Sequence, residues 1–229
     1  MVRGYDNTPV YVQCLLDIQM REGNGTLIRD WAKPEHPVTL HGTPTWAQLG
    51  NGLNYLDFDS TNPDWLDSPQ AGTADLDFTT ESFSLALWVD IDSLAAARAL
   101  IIRGLLDTDG YEIYVETDGS IVFRTNQAAA NQITTSAAGD IVINNWYQVI
   151  LTRSGTDALI YLNGIDVTDT AGSHTDPLTS ARELHIGILD DETNSPFEGQ
   201  MWRPRMWGRQ LSAVEAVQLF NYERDWLGV

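Results

Sequence analysis

Short apolar–polar alternations, repeatedly broken by turn residues, constrain this chain more than any other feature. Phe83-Ser84-Leu85-Ala86-Leu87-Trp88-Val89 places Phe83, Leu85, Leu87 and Val89 on one face of a strand. Similar segments run from Val10 to Ile18, Val38 to Leu40, Thr45 to Trp46, Leu53 to Asp59, Ala99 to Arg103 and Tyr111 to Glu116. Others run from Ser120 to Thr125, Trp146 to Thr152, Ala158 to Leu162 and Leu184 to Gly187. Asp118-Gly119 and Asn163-Gly164 sit between such runs, and these dipeptides favour tight hairpin turns. The pattern predicts an all-β sandwich of two antiparallel sheets. Asp92 to Ala97 is read as a helical turn and His41-Gly42 as a turn between short strands. Leu211 to Tyr222 has helical spacing, predicting one short C-terminal helix with Val214, Val217 and Phe220 against the sheet.

The closing stretch Phe197-Glu198-Gly199-Gln200-Met201-Trp202-Arg203-Pro204-Arg205-Met206-Trp207-Gly208-Arg209-Gln210-Leu211-Ser212-Ala213-Val214-Glu215 orders a glycine turn, a bulky apolar strand, an arginine turn and a Leu-Ser helix cap. It resembles the closing signature of laminin-G-like domains in the concanavalin A-like jelly-roll superfamily, roughly Phe-x-Gly-x-Ile-Asp-x-Val-x-Ile-Tyr-x-Arg-x-Leu-Ser-x-x-Glu. Earlier landmarks follow the family order: Glu22-Gly23-Asn24-Gly25-Thr26, Asp30, Tyr55-Leu56-Asp57-Phe58-Asp59, Phe83-Ser84 with Trp88-Val89, Trp146 to Thr152, and Ala158 to Gly164. They run from about residue 10 to about residue 222 with no linker or repeat, so the expectation is one jelly-roll domain over residues 1–229.

Composition narrows the partners. The 32 acidic residues outnumber 13 basic ones, giving a formal charge of −19. That excess repels a phosphate backbone more than the few cations can neutralise it, so nucleic acid and anionic membranes are poor partners. Acidic excess suits a soluble, self-repelling surface, a salty habitat or cation binding. Cys14 is the only cysteine, which excludes an intramolecular disulfide, and its apolar run marks it as a buried small residue. The N-terminus has no apolar signal core, and no apolar run approaches the ~18 residues that span a bilayer. Asn24-Gly25-Thr26 matches a glycosylation sequon, which carries little weight without an export signal. The expectation is a chain made in the cytoplasm.

The superfamily's hydrolases place paired carboxylates on one strand, usually as Glu-x-Asp-x-x-Glu. No such string occurs; the nearest, Glu112-Ile113-Tyr114-Val115-Glu116, lacks the central acid and reads as a polar outer face. His36, His41, His174 and His185 show no metalloprotease spacing, and Ser173-His174 lies in a predicted loop. No catalytic residue is assigned, and the protein is read as non-enzymatic.

Calcium is the candidate cofactor, because hard cations need several converging oxygens. The resemblance implies a site in the acidic loop after the Phe-Asp strand, here Asp59, Asn62 and Asp64, together with an Asp in the closing signature. Trp202 occupies that second position, which weakens the inherited site. Asp190, Asp191, Glu192 and Asn194, or Asp107 and Asp109, are substitutes, with solvated acidic turns as the alternative reading. For a glycan, loop aromatics offer stacking faces, and Trp31, Trp46 and Trp65 are the candidates, each also readable as packing. Arg203 and Arg205 alternate with Trp202, Pro204 and Met206; they would meet an acidic ligand or the protein's own carboxylates.

The expected function is a non-catalytic binding or adhesion module recognising a glycan or glycoprotein. A chain without export signal or fused enzyme suits display on a virion, as a capsid decoration, tail or fibre protein, or on another surface assembly, with assembly partners or a homo-oligomer. The alternative is a free secreted or excised lectin-like module, and a glycoside hydrolase is a third reading.

Overall fold

The computed structural model describes residues 9–125 and 132–229. Its first eight strands are β1 (Cys14–Asp17), β2 (Thr39–His41), β3 (Thr45–Gln48), β4 (Asn54–Phe58), β5 (Trp65–Ser68), β6 (Phe83–Ile91), β7 (Arg98–Leu105) and β8 (Asp109–Val115). The remainder are β9 (Ile121–Thr125), β10 (Ile133–Ser136), β11 (Trp146–Ser154), β12 (Asp157–Leu162), β13 (Ile165–Asp166), β14 (Thr168–Thr170), β15 (Leu184–Ile186) and β16 (Gly199–Trp207). One helix, α1 (Ala213–Leu227), follows.

The strands form two antiparallel sheets. The first runs β13-β12-β11-β6-β16-β4-β3, with β1 also paired to β16; the second runs β14-β10-β9-β8-β7-β15-β5-β2. Phe83, Leu85, Leu87 and Val89 on β6 join Ile101, Tyr111, Ile113 and Phe123 of the second sheet in one buried core, as the alternation of β6 requires. This is the predicted jelly-roll sandwich. Asn163 and Gly164 take φ of +53° and +78°, closing the β12–β13 hairpin as the Asn-Gly pair predicts. A Cβ on Gly164 would lie 3.0 Å from the Val217 Cα of α1, so glycine also lets the helix approach.

The structure corrects several expectations. The first predicted strand is shorter, because Pro9–Tyr11 forms a 3-10 turn and Gln13 takes φ +59° before β1 begins. His41-Gly42 closes no hairpin: β2 pairs with β5 and β3 with β4, so the chain changes sheets there. Residues 92 to 97 form bends rather than a helical turn.

Helix α1 starts at a full capping box between Ser212 and Glu215 and ends at Gly228 in the left-handed conformation. Its buried residues are Ala216, Leu219, Glu223 and Leu227, while Val214 and Val217 face solvent. The predicted face is therefore rotated, and only Phe220 packs partly against the core as expected. The rotation seats a carboxylate, Glu223, on the outer face of the first sheet.

Candidate functional site

Glu223 is buried and accepts five N–H groups: from Trp88 at 2.8 Å, Gln148 at 3.0 Å, Arg203 at 2.8 Å, and two from Arg205 at 2.8 and 2.7 Å. Burial alone would raise its carboxyl, but Arg205 and Arg203 outweigh this and hold it below the ordinary glutamate value. Arg203 also donates to Asp17 at 3.1 and 3.2 Å and to the Tyr11 hydroxyl at 3.1 Å. A bulge between Trp202 and Arg205, with Arg203 at φ +55°, aims both arginines at α1. Arg205 is fully buried. Both arginines pair with the protein's own carboxylates, one of the two readings the sequence offered, and Arg203 also borders the cleft beside them.

Beside this network lies a cleft of about 630 Å³ between α1, the turn before β4 and the segment after β1. Its aromatic walls are Tyr11, Trp202, Tyr222 and Trp226; Asn51, Asn54, Arg21 and Arg203 supply polar edges. Tyr222 and Trp226 are one helical turn apart and 59% and 52% exposed. Trp202 is 5% exposed, yet its indole N–H has no hydrogen-bond partner. The Asn51 amide donates to the Trp226 carbonyl at 2.7 Å, tying the helix end to the opposite wall. Asn54 is similarly held, donating to the Arg21 carbonyl and accepting from Gln48 at 2.9 Å.

The tryptophans singled out in the sequence lie elsewhere. Trp31 is exposed, with the Arg21 and Arg29 guanidinium carbons 5.2 and 5.9 Å from its ring centroid. Trp46 packs on the core and donates to the Gly25 carbonyl at 2.8 Å. Trp65 opens β5 and stacks on His41 at 4.6 Å. The structure does not gather these three into one site. Tyr222 and Trp226 were missed, although an exposed aromatic pair at i and i+4 near the C-terminus was a usable signal.

Asp59, Asn62 and Asp64 do line one pocket, of about 360 Å³, with Asp57, Asp92 and Glu198. Asp64 is spent: its two oxygens accept the backbone N–H groups of Thr43 at 2.7 Å and Asp59 at 2.9 Å. Glu198 pairs with Arg98 at 2.8 Å and accepts the Ser60 hydroxyl. Asp57 and Asp92 share only the Gln200 amide, at 3.2 and 3.3 Å. Burial raises Asp57 above the ordinary aspartate value, Gln200 opposes this, and Asp92 and Asp59 add to the rise. The donor set fits a hard cation in chemical kind on Asp57, Asp59 and Asp92, with Asp64 withdrawn.

Asp190, Asp191, Glu192 and Asn194 do not line this pocket. Asp190 pairs with Arg182, and Asp191 accepts the backbone N–H groups of Thr193 and Asn194 and the Asn194 side-chain amide. Those contacts build the turn, so its oxygens are engaged. Asp109 likewise accepts the Leu105 N–H at 3.1 Å. Glu112 pairs with Arg124 at 2.9 Å on the outer face of the second sheet.

No helix among the described residues is long and apolar enough to cross a membrane. No curated protein matches the sequence. Solved structures give the fold. A botulinum neurotoxin serotype C1 binding domain superposes with TM-score 0.70 at 18% identity over 92% of this chain and 52% of that one. A type C neurotoxin structure, described as entering cells by interaction with two ganglioside molecules, gives TM-score 0.68 at 16% identity, covering 92% and 51%. The binding domain of neurotoxin DC in complex with rat synaptotagmin II gives TM-score 0.67 at 16% identity, again covering 92% and 51%. The chain thus spans about half the length of these neighbours. The family model described as the concanavalin A-like lectin/glucanases superfamily matches residues 66–216, well over half of the sequence, and the chain belongs to that family.

Proposed function

We propose that this protein is a non-catalytic carbohydrate-binding module and that the cleft beside α1 holds the sugar. The observation that carries this reading is the pairing of two exposed rings, Tyr222 and Trp226, with the partnerless, buried indole N–H of Trp202. Exposed rings stack on the apolar face of a sugar, and a buried N–H without a partner gains from any acceptor that a ligand brings to it. The volume falls in the usual range for small-ligand sites.

Electrostatics favour a neutral glycan. Of the cations lining the cleft, Arg203 is neutralised by Asp17 and Glu223, and Arg21 lies over Trp31. A chain of charge −19 repels anionic sugars at long range. The cleft's carboxylate, Glu223, is clamped below its ordinary pKa and accepts five N–H groups, which suits it poorly to act as a general acid. The superfamily and the ligands named for the neighbouring structures lend the class, glycan or glycoprotein, but no residue.

A panel of neutral and sialylated glycans tests the proposal. Trp226→Ala should weaken binding of a neutral glycan about tenfold, by analogy with base-stacking aromatics, which contribute roughly 1–3 kcal/mol, while changing stability by no more than about 0.5 kcal/mol. Binding unaltered in Trp226→Ala, no glycan bound at all, or cleavage of the bound glycan would each overturn it. The setting we propose is an external surface, a virion or another surface assembly. Native particle mass separates an assembling protein from a free lectin-like monomer.

A further inference from the structure

We propose that His185, Asp67 and Glu183 bind a first-row divalent transition metal, with zinc the best match, on the outer face of the second sheet. β15 and β5 are antiparallel neighbours, and His185 lies directly opposite Asp67. Glu183, two residues before His185, projects to the same face, away from core residues Leu184 and Ile186. One ligand atom from each of the three lies within 4.8 Å of those of the other two.

The second observation is the state of His185. It is 3% exposed, and neither ring nitrogen has a hydrogen-bond partner. The nearest carboxylate, Glu192 Oε1, stands 3.8 Å from Nε2. The other two buried histidines provide the comparison. His36 is held by Asp30 and Asp75 through its two nitrogens, and His174 by Thr125 and Thr134. A buried ring with both nitrogens empty is therefore an exception within this protein, and it is costly. A metal ion bonded to one nitrogen removes much of that cost.

Ligand chemistry selects the ion. An imidazole and two carboxylates neutralise a dication and suit zinc, whereas calcium prefers an all-oxygen set. Asp67 is already oriented, because His41 Nε2 lies 2.5 Å from its Oδ2 and Trp65 stacks on the His41 ring. That arrangement leaves Oδ1 for the metal and gives His41 and Trp65 a positioning role. Bonds of about 2.0–2.1 Å to zinc put tetrahedral ligand atoms roughly 3.3 Å apart. From the 4.8 Å limit the ligand atoms must thus draw in by up to about 1.5 Å, which the partly exposed Glu183 can take up by rotation. Glu192, half exposed, stands beside His185 on the solvent side of the cluster.

The test uses the untagged full chain, stripped with a chelator and titrated with cobalt(II) as the visible-absorbing probe and zinc as competitor. One equivalent of cobalt should bind with a tetrahedral visible spectrum and be displaced by zinc. Glu183→Gln should weaken binding about tenfold or more, and His41→Gln by a factor within the roughly 10–100-fold range of outer-shell changes. His185→Gln should abolish uptake; if it fails to fold, Glu183→Gln carries the test, its folding checked by circular dichroism. No stoichiometric uptake, or uptake equally tight in Glu183→Gln, overturns the proposal.

Discussion

On β6, Trp88 and Asp90 are two residues apart and share the outer face of the first sheet, yet they stand in opposite electrostatic surroundings. Trp88 donates to Glu223, a buried carboxylate matched by two arginines. Asp90 lies across from Gln200, beyond which β4 presents Asp57. Burial raises the Tyr55 phenol above its ordinary value, and Asp57, Asp90 and Asp92 then add to the rise. No salt bridge partners Asp57, Asp90 or Asp92 among the described residues. One end of the face is thus compensated and fixes the helix; the other carries charge that a proton or cation would relieve. A carboxylate's burial does not tell scaffold from site, but the cations around it do.

The compensated end should fail hardest. Glu223→Gln leaves Arg205 fully buried without its charge partner, and breaking a buried pair from one side costs about 3–5 kcal/mol. Urea unfolding should show a loss of that order, or a variant that does not fold. A loss below about 1 kcal/mol would mean that the arginines find other acceptors and that the helix is held by apolar packing alone.

What the sequence disclosed follows the same division. Most strands and the Asn163-Gly164 hairpin were legible because alternation and the Asn-Gly turn are local signals, whereas the short strands β5, β10 and β14 carry too little alternation to announce themselves, and His41-Gly42 gave a turn signal without a hairpin. The helix face was misread because its inward residue Glu223 is charged, so hydropathy assigned Val214 and Val217 to the core instead. Nothing local announces that Arg203 and Arg205 lie across from it. The bulge that aims them depends on β16 pairing with β6, a contact distant in sequence. The cleft was hidden for the same reason: Trp202, Tyr222 and Tyr11 meet only after α1 folds back on the sheet. Asp59, Asn62 and Asp64 were found as a pocket, but backbone N–H groups take up both Asp64 oxygens, which composition does not reveal.

The uncompensated end should respond to a cation. If Asp57, Asp59 and Asp92 hold calcium with a Kd of about 1 mM, as weak extracellular sites do, about 10 mM calcium adds roughly 1.4 kcal/mol of stability. Thermal unfolding should shift upward accordingly, reverse with chelator, and lose the shift in Asp92→Asn. An Asp92→Asn protein that gains as much as the parent would remove this pocket from consideration. The compensated end predicts no such response, since Glu223 offers no unengaged charge.

The smallest effect isolates a single group. Burial first, and then Asp92, push Asp90 up to about 6 from an ordinary 3.8. The folded state therefore holds that proton more tightly than the unfolded chain. Above about pH 6 the ionised group weakens the fold; the penalty is relieved as pH falls toward 3.8. With allowance for solvent screening, the penalty is on the order of 1 kcal/mol. Asp90→Asn should thus be more stable than the parent at about pH 8, and the gap should close near pH 4. His36 and His174 titrate in both proteins, so their contributions cancel in the difference. Paired urea midpoints at the two pH values decide the matter. A gap that persists at low pH would show that the amide improves packing, and the charge at this end of the sheet would no longer explain its readiness for a cation.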